Sequence, residues 1–257
     1  MNKVRIVAEV GSNWDPSAPF DSCHAFVDAV AEAGADHVKF QDWHPLEEFD
    51  RPYEWKDQSE RWTLEPDLVR ELRSYAVLRR GLGFITSVFT HGAVLRARYH
   101  DIVKIASSEI GNQDLLITIA QECKGAVWLS LGEVPNNEWV NTAIARLGTH
   151  KVRLLACVAE YPVARPLDLW DSYTFAQQWA LPLGVSSHIA YPHCRAMIKQ
   201  LVGRGADAVE VHVRLQGVTP DDAPDNGAWA LWLPEFKELV KMIRSIDARD
   251  PHSEAWD

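Results

Sequence analysis

The chain has 257 residues, 47% of them hydrophobic and 24% charged, which suits one large globular core. A net charge of −10 argues against nonspecific nucleic-acid binding and against an anionic membrane surface, and no apolar run is long enough to span a bilayer. The start of the chain reads as a strand rather than a signal peptide, and the four cysteines (Cys23, Cys123, Cys157, Cys194) form no CxxC pair, so reduced thiols in a cytoplasmic protein are expected.

Short apolar runs then alternate with amphipathic segments. Strands are expected at Val4–Val10, His37–Gln41, Phe84–Val88, Ile102–Ala106, Val127–Leu131, Val152–Val158, Leu183–Ser186 and Ala208–Val213. Helices are expected near Asp21–Ala33, Pro66–Arg79, Gly92–Tyr99, Gln113–Cys123, Asn136–Leu147, Leu167–Trp179, Tyr191–Arg204 and Leu233–Ile246. Eight strand–helix units in order predict a single (β/α)8 TIM barrel filling residues 1–257 as one catalytic domain. The nearly continuous Val, Ile and Leu of the strands fits burial on both faces. Gly34-Ala35-Asp36 and Gly205-Ala206-Asp207 echo one another, each glycine placed to cap a helix in the left-handed region.

Two long loops follow strands two and eight, so both overhang the predicted carboxyl-end rim. The first, Asp42–Glu65, carries Trp43, Tyr53, Trp55 and Trp62 and reads as a lid or a subunit contact. The second is Gln216–Asn226. Trp14, Trp43 and Trp55 are candidates to stack on a sugar at the mouth, whereas Trp170, Trp179, Trp229 and Trp232 read as core or dimer packing. His24, His44, His91 and His100 read as surface or capping groups, and Cys157 and Cys194 as small core residues.

Polar residues gather at nearly every strand end. Gly184-Val185-Ser186-Ser187-His188 and Ala208-Val209-Glu210-Val211-His212 are short strands joined by a helix, so both histidines reach one rim, where two imidazoles can share a divalent metal. Lys39 and Lys104 sit inside apolar strands and need anionic partners. Salt bridges to Glu9 or Glu109 satisfy that need, and so does a phosphate or carboxylate ligand flanked by Ser107, Ser130 and Ser186.

Seven segments in order, Ile6–Asn13, Val38–Gln41, Lys104–Ile110, Leu129–Gly132, Tyr161-Pro162, Gly184–His188 and Glu210–His212, together resemble the sialic acid synthase family over its catalytic barrel. The resemblance implies metal-dependent condensation of phosphoenolpyruvate with an aldehyde or sugar acceptor, giving a 2-keto-3-deoxy acid and phosphate. It implies that His188 and His212 hold the metal, Mn2+ first, with Mg2+, Co2+ or Zn2+ as alternatives. It also implies that Lys39, Lys104, Ser107, Ser130, Tyr161 and Ser186 bind phosphoenolpyruvate, and that Glu109 handles the water attacking its second carbon. Glu9 and Gln41 would contact sugar or metal-bound water, and Asp225 the acceptor.

The family's C-terminal antifreeze-like domain, with its sugar-binding arginine, is expected to be missing, leaving Arg214, Arg51 or Arg61 as replacements. The chain also departs from the family pattern at Asn13-Trp14, Val158-Ala159-Glu160 and Gln216, mostly on the acceptor side. A homodimer through the Trp-rich insertion is expected, with neither nucleic acid nor membrane as partner. Two other readings fit the same residues: a metal-dependent lyase, aldolase or isomerase, and a non-catalytic ligand-binding barrel.

Overall fold

A computed structural model of the chain describes residues 3–42, 60–132, 137–148 and 151–247. Eight strands are hydrogen-bonded in sequence order and all in parallel: β1 (Arg5–Gly11), β2 (His37–Asp42), β3 (Gly83–Val88), β4 (Ile102–Ile105), β5 (Ala126–Ser130), β6 (Val152–Ala156), β7 (Leu183–Ser187) and β8 (Ala208–Arg214). Pairing of β1 with β8, Glu9 opposite His212, closes the sheet into a barrel. The helices are α1 (Pro19–Ala33), α2 (Pro66–Ser74), α3 (His91–Ala97), α4 (Gln113–Glu122), α5 (Asn137–Leu147), α6 (Leu167–Ala176), α7 (His193–Gly203) and α8 (Leu233–Asp247). This is the (β/α)8 architecture that the alternation predicts.

The boundaries differ from expectation where local geometry changes without a change in hydrophobic pattern. The helix expected over 66–79 ends in a π-helical turn at Tyr75–Arg79, and that over 167–179 in a 3-10 turn at Gln177–Trp179. A two-residue strand, β9 (Leu231–Trp232), pairs with the end of β8 and is too short to carry a periodicity. Gly34 caps α1 at φ 89°, as its position implies, and Asp36 beyond it accepts from Ile6 N–H at 2.8 Å and from Arg244 at 2.5 Å. None of the described helices is long and apolar enough to cross a membrane, and all four cysteines are buried and free.

Because side chains alternate along a strand, each barrel strand sends every second residue inward. Val7, Ile85, Ile102, Trp128, Leu155 and Ala208 meet there as an apolar interior layer, separate from the larger core between strands and helices. Two residues further along the same strands stand Glu9, Ser87, Lys104, Ser130, Cys157 and Glu210. The interior therefore turns from apolar to polar within one pleat, towards the carboxyl ends. Gly184 of β7 sits at the apolar level, where a Cβ would come within 2.6 Å of the Ala208 carbonyl.

Two expectations about buried residues are corrected. Trp14 is only 2% exposed and packs in the outer core, where the next residue ties the loop to α1, Asp15 N–H donating to Ser22 Oγ at 3.1 Å. His100 is also buried, its ring edge-on to Phe84 and its Nδ1 3.3 Å from Thr86 Oγ1. His24, by contrast, is partly exposed within α1, with Nδ1 2.7 Å from the Phe20 carbonyl and Nε2 2.8 Å from Glu71 Oε1.

Candidate active site

The polar layer opens into a cavity of about 570 Å³ at the carboxyl ends of the strands. Glu9, Lys39, Gln41, Lys104, Ser107, Ser130, Tyr161, Ser186, His188, His212 and Asp225 all line it. Strand register accounts for much of this convergence: Glu9 lies directly opposite Lys39 on one side and His212 on the other, and Ser186 lies opposite Glu210.

Glu210 is the hub of the floor. Its Oε1 accepts from Ser186 Oγ at 2.9 Å and lies 3.4 Å from Lys39 Nζ and 3.6 Å from Lys104 Nζ. Lys39 also reaches Glu9 Oε2 at 2.7 Å and donates to Ser87 Oγ at 3.0 Å, and Lys104 donates to Ser130 Oγ at 2.8 Å. The lysines are thus partnered, with Glu9 as expected and with Glu210 in place of Glu109.

The electrostatics separate the two lysines. Burial works against the charge of Lys39, but Glu210 and Glu9 outweigh it and raise its pKa. Lys104 is lowered, first by burial and then by Lys39, with Glu210 only partly offsetting. Burial also disfavours the Glu210 carboxylate, yet Lys104 and Lys39 hold it down at about 2, whereas burial dominates at Glu9 and raises it. Lys104 is therefore the more weakly compensated of two partnered lysines, bonded to Ser130, with Ser107 and Ser186 in the same cavity lining.

His188 and His212 stand side by side with ring centroids 5.4 Å apart. His188 Nδ1 lies 2.9 Å from the Val158 carbonyl, which can only accept, so that nitrogen carries the proton and Nε2 keeps its lone pair. Burial, and then the neighbouring His212, push its pKa down to about 3, so the ring is neutral at physiological pH. His212 Nδ1 is buried without a hydrogen bond, 3.5 Å from Asp225 Oδ1. A neutral imidazole with a fixed lone pair beside a second imidazole with an unsatisfied nitrogen fits a divalent ion that takes two protein ligands and keeps its other positions open. Among the described residues no group of three or more His, Cys, Asp or Glu has metal-holding geometry.

Asp225, from the loop after β8, is fixed to the exit of β1. Its Oδ2 accepts from both Ser12 N–H and Ser12 Oγ at 2.8 Å. Gly11 makes this approach possible: it sits at φ 56°, and a Cβ there would lie 2.2 Å from Asp225 Oδ2.

Other expected residues are placed elsewhere. Glu109, in a short 3-10 turn after β4, is buried outside the cavity lining, where its carboxylate accepts from Asn112 Nδ2 at 2.9 Å and from Ser108 Oγ at 3.3 Å. Arg214 donates to Asn226 and stacks over Trp232, and Arg61 pairs with the exposed Asp222; neither lines the cavity. Arg51, Trp43, Tyr53, Trp55 and His44 lie outside the described residues, as does the body of the proposed lid.

Glu210, Cys157 and Trp229 are among the lining residues that were not singled out from the sequence as site residues. Glu210 shares the inward face of β8 with His212, which is a period-two signal for it. Cys157 is no plain core filler: it lines the cavity with Sγ 3.8 Å from His188 Nδ1, and burial pushes its thiol up to about 12. Trp229, read as packing, lines the cavity too.

A closed parallel barrel with its polar cavity at the carboxyl ends of the strands defines the class: a (β/α)8 barrel with the site where such enzymes carry theirs. Residues 26–253 match the NeuB family, and the chain belongs to that family, as its ordered motifs imply. It is 28% identical over 269 residues to the spore coat polysaccharide biosynthesis protein SpsE of Bacillus subtilis (strain 168), covering 95% of this chain and 68% of that protein. The crystal structure of SpsE superposes with a TM-score of 0.76 at 24% identity, over 96% of this chain and 68% of that one. The N-acetylneuraminic acid synthetase of Leptospira borgpetersenii serovar Hardjo-bovis, solved with citrate, gives a TM-score of 0.80 at 23% identity, over 96% of this chain and 85% of that one. At these identities the superpositions establish the fold.

Proposed function

We propose that the protein condenses phosphoenolpyruvate with a sugar-like aldehyde, giving a 2-keto-3-deoxy acid and inorganic phosphate. The observation that carries this reading is the floor of the cavity, where Lys104 and Lys39 converge with three serine hydroxyls in the lining beside the pair His188 and His212. A buried lysine already desolvated and held in place by its neighbours is suited to an incoming phosphate or carboxylate.

In this reading the third carbon of phosphoenolpyruvate attacks the aldehyde carbon, water adds to the second carbon, and the resulting hemiketal phosphate expels phosphate to leave the ketone. Lys104 and Lys39, with Ser107, Ser130 and Ser186, hold the anionic donor and offset the charge of the departing phosphate. His188 and His212 hold a divalent cation, Mn2+ being the first candidate, which when bound polarises the aldehyde. Glu9, with its carboxyl raised by burial, is the cavity-facing group suited to proton transfer, and Glu210 at about 2 is suited to fixing the lysines. Glu109, next to the lining residues Ser107 and Ser108, is assigned to the water that attacks the second carbon. Gln41 and Asp225 face the acceptor.

The test is calorimetric titration of phosphoenolpyruvate with Mn2+ present, followed by phosphate release with an aldehyde panel. Wild-type protein is expected to bind, Lys104→Ala to lose binding by a factor of ten or more, the order of one charge-assisted contact at roughly 1.5–3 kcal/mol, and His188→Ala to keep binding but lose Mn2+-dependent phosphate release. A folded, Mn2+-loaded wild type that does not bind phosphoenolpyruvate would overturn the proposal.

A further inference from the structure

The reaction above leaves one wall of the cavity without a task. Tyr161, 49% exposed on the loop after β6, stacks on His188 at 4.0 Å, and Trp229 stands edge-on to it at 5.5 Å and 74°. Trp229 is seated against Gly227, where a Cβ would come within 1.9 Å of the indole, so the backbone gives up a side chain to admit the ring. Its Nε1 is shielded from solvent and has no partner among the described residues, whereas the other cavity indole, Trp62, donates its Nε1–H to the Trp14 carbonyl at 3.1 Å. An N–H that has lost water and gained no partner makes tryptophan a costly filler, and a phenylalanine would occupy the space without that cost. The residue is better explained by the indole surface it contributes to the cavity lining.

The charge around it narrows the ligand. Among the described lining residues the lysines are Lys39 and Lys104, both inside the barrel strands, while the loop that carries Trp229 also brings Asp225 to the cavity, Gly227 N–H donating to the Asp225 carbonyl at 3.0 Å. An anionic group is disfavoured there, and an uncharged chain with a C–H face and hydroxyls to donate to a carboxylate is favoured. We infer that Trp229 is the specificity-determining residue for the acceptor, packing its ring on the C–H face of a neutral polyhydroxylated aldehyde. The assignment of that ligand as the acceptor rests on the reading of the lysine floor as the donor site, but binding at Trp229 does not require the donor.

That independence sets the experiment. Saturation-transfer NMR is run with mannitol, an unreactive polyol, at millimolar concentration on wild type, Trp229→Phe and Trp229→Ala, and phosphoenolpyruvate binding is measured on the same samples. Mannitol is expected to bind wild type and Trp229→Phe alike and to bind Trp229→Ala roughly tenfold more weakly, the scale of one aromatic contact. Phosphoenolpyruvate affinity is expected to be the same in all three. No mannitol transfer to wild type, or equal transfer to Trp229→Ala, overturns the inference. Trp229-dependent mannitol binding without phosphoenolpyruvate binding sinks the donor reading and leaves the polyol site standing.

Discussion

Glu210 shows what a single residue does here. Two lysines and Ser186 converge on its one oxygen, so removing its charge leaves both cations undercompensated in the interior. Glu210→Gln is expected to lose about 3 kcal/mol in urea denaturation, the scale for breaking a buried charge pair. Inorganic phosphate should restore part of that loss in the variant and do less for wild type; an absent phosphate effect would mean that anions do not reach the lysines. The sequence showed that Lys39 and Lys104 needed counter-charges but pointed Lys104 towards Glu109, because Glu210 faces it across the barrel and no local spacing encodes that distance. The same limit explains the exchange of roles between Trp14 and Trp229. Both follow barrel strands, and only the path of each loop decides which indole is buried in the core and which is turned to the cavity.

At the scale of elements the sequence was far more legible. Strand positions came within one or two residues, because a strand buried on both faces is largely apolar and a capping glycine such as Gly34 marks the end of the helix before it. The π-turn at Tyr75–Arg79 and the short β9 left no trace, since neither changes the hydrophobic pattern. Gly11 was visible only as part of a motif, and the structure supplies its reason. Gly11→Ala is expected to cost about 2–4 kcal/mol, combining left-handed backbone strain with overpacking against Asp225. Asp225→Ala removes the obstructing oxygen, so the double variant should be more stable than the sum of the two losses predicts. A strictly additive denaturation cycle would show that the two residues do not press on each other.

For the whole molecule the buried histidines set the acid limit. Burial pushes His37 and His100 down to about 4 from an ordinary value of 6.5. Below pH 6.5 the unfolded chain takes up protons that the folded chain refuses, so stability is fully present above that pH and is lost as pH falls towards 4. Each histidine contributes a slope of up to about 1.4 kcal/mol per pH unit across that window. Urea midpoints at pH 7.5, 6 and 5 should fall progressively, and His100→Asn should flatten the fall by about one proton; an unchanged slope in that variant would exclude His100 as a source.

The seam between β1 and β8 bears on how the protein is made. On the ribosome Glu9 emerges early, but its neighbour His212 follows only near the end of the described chain, a wait of roughly ten seconds or more at about 5–20 residues per second. Until then β1 has an open edge, and neither the histidine pair nor the Asp225 clasp exists. Nascent chains stalled anywhere before β8 are therefore inert as well as aggregation-prone, and the site forms only as the barrel closes.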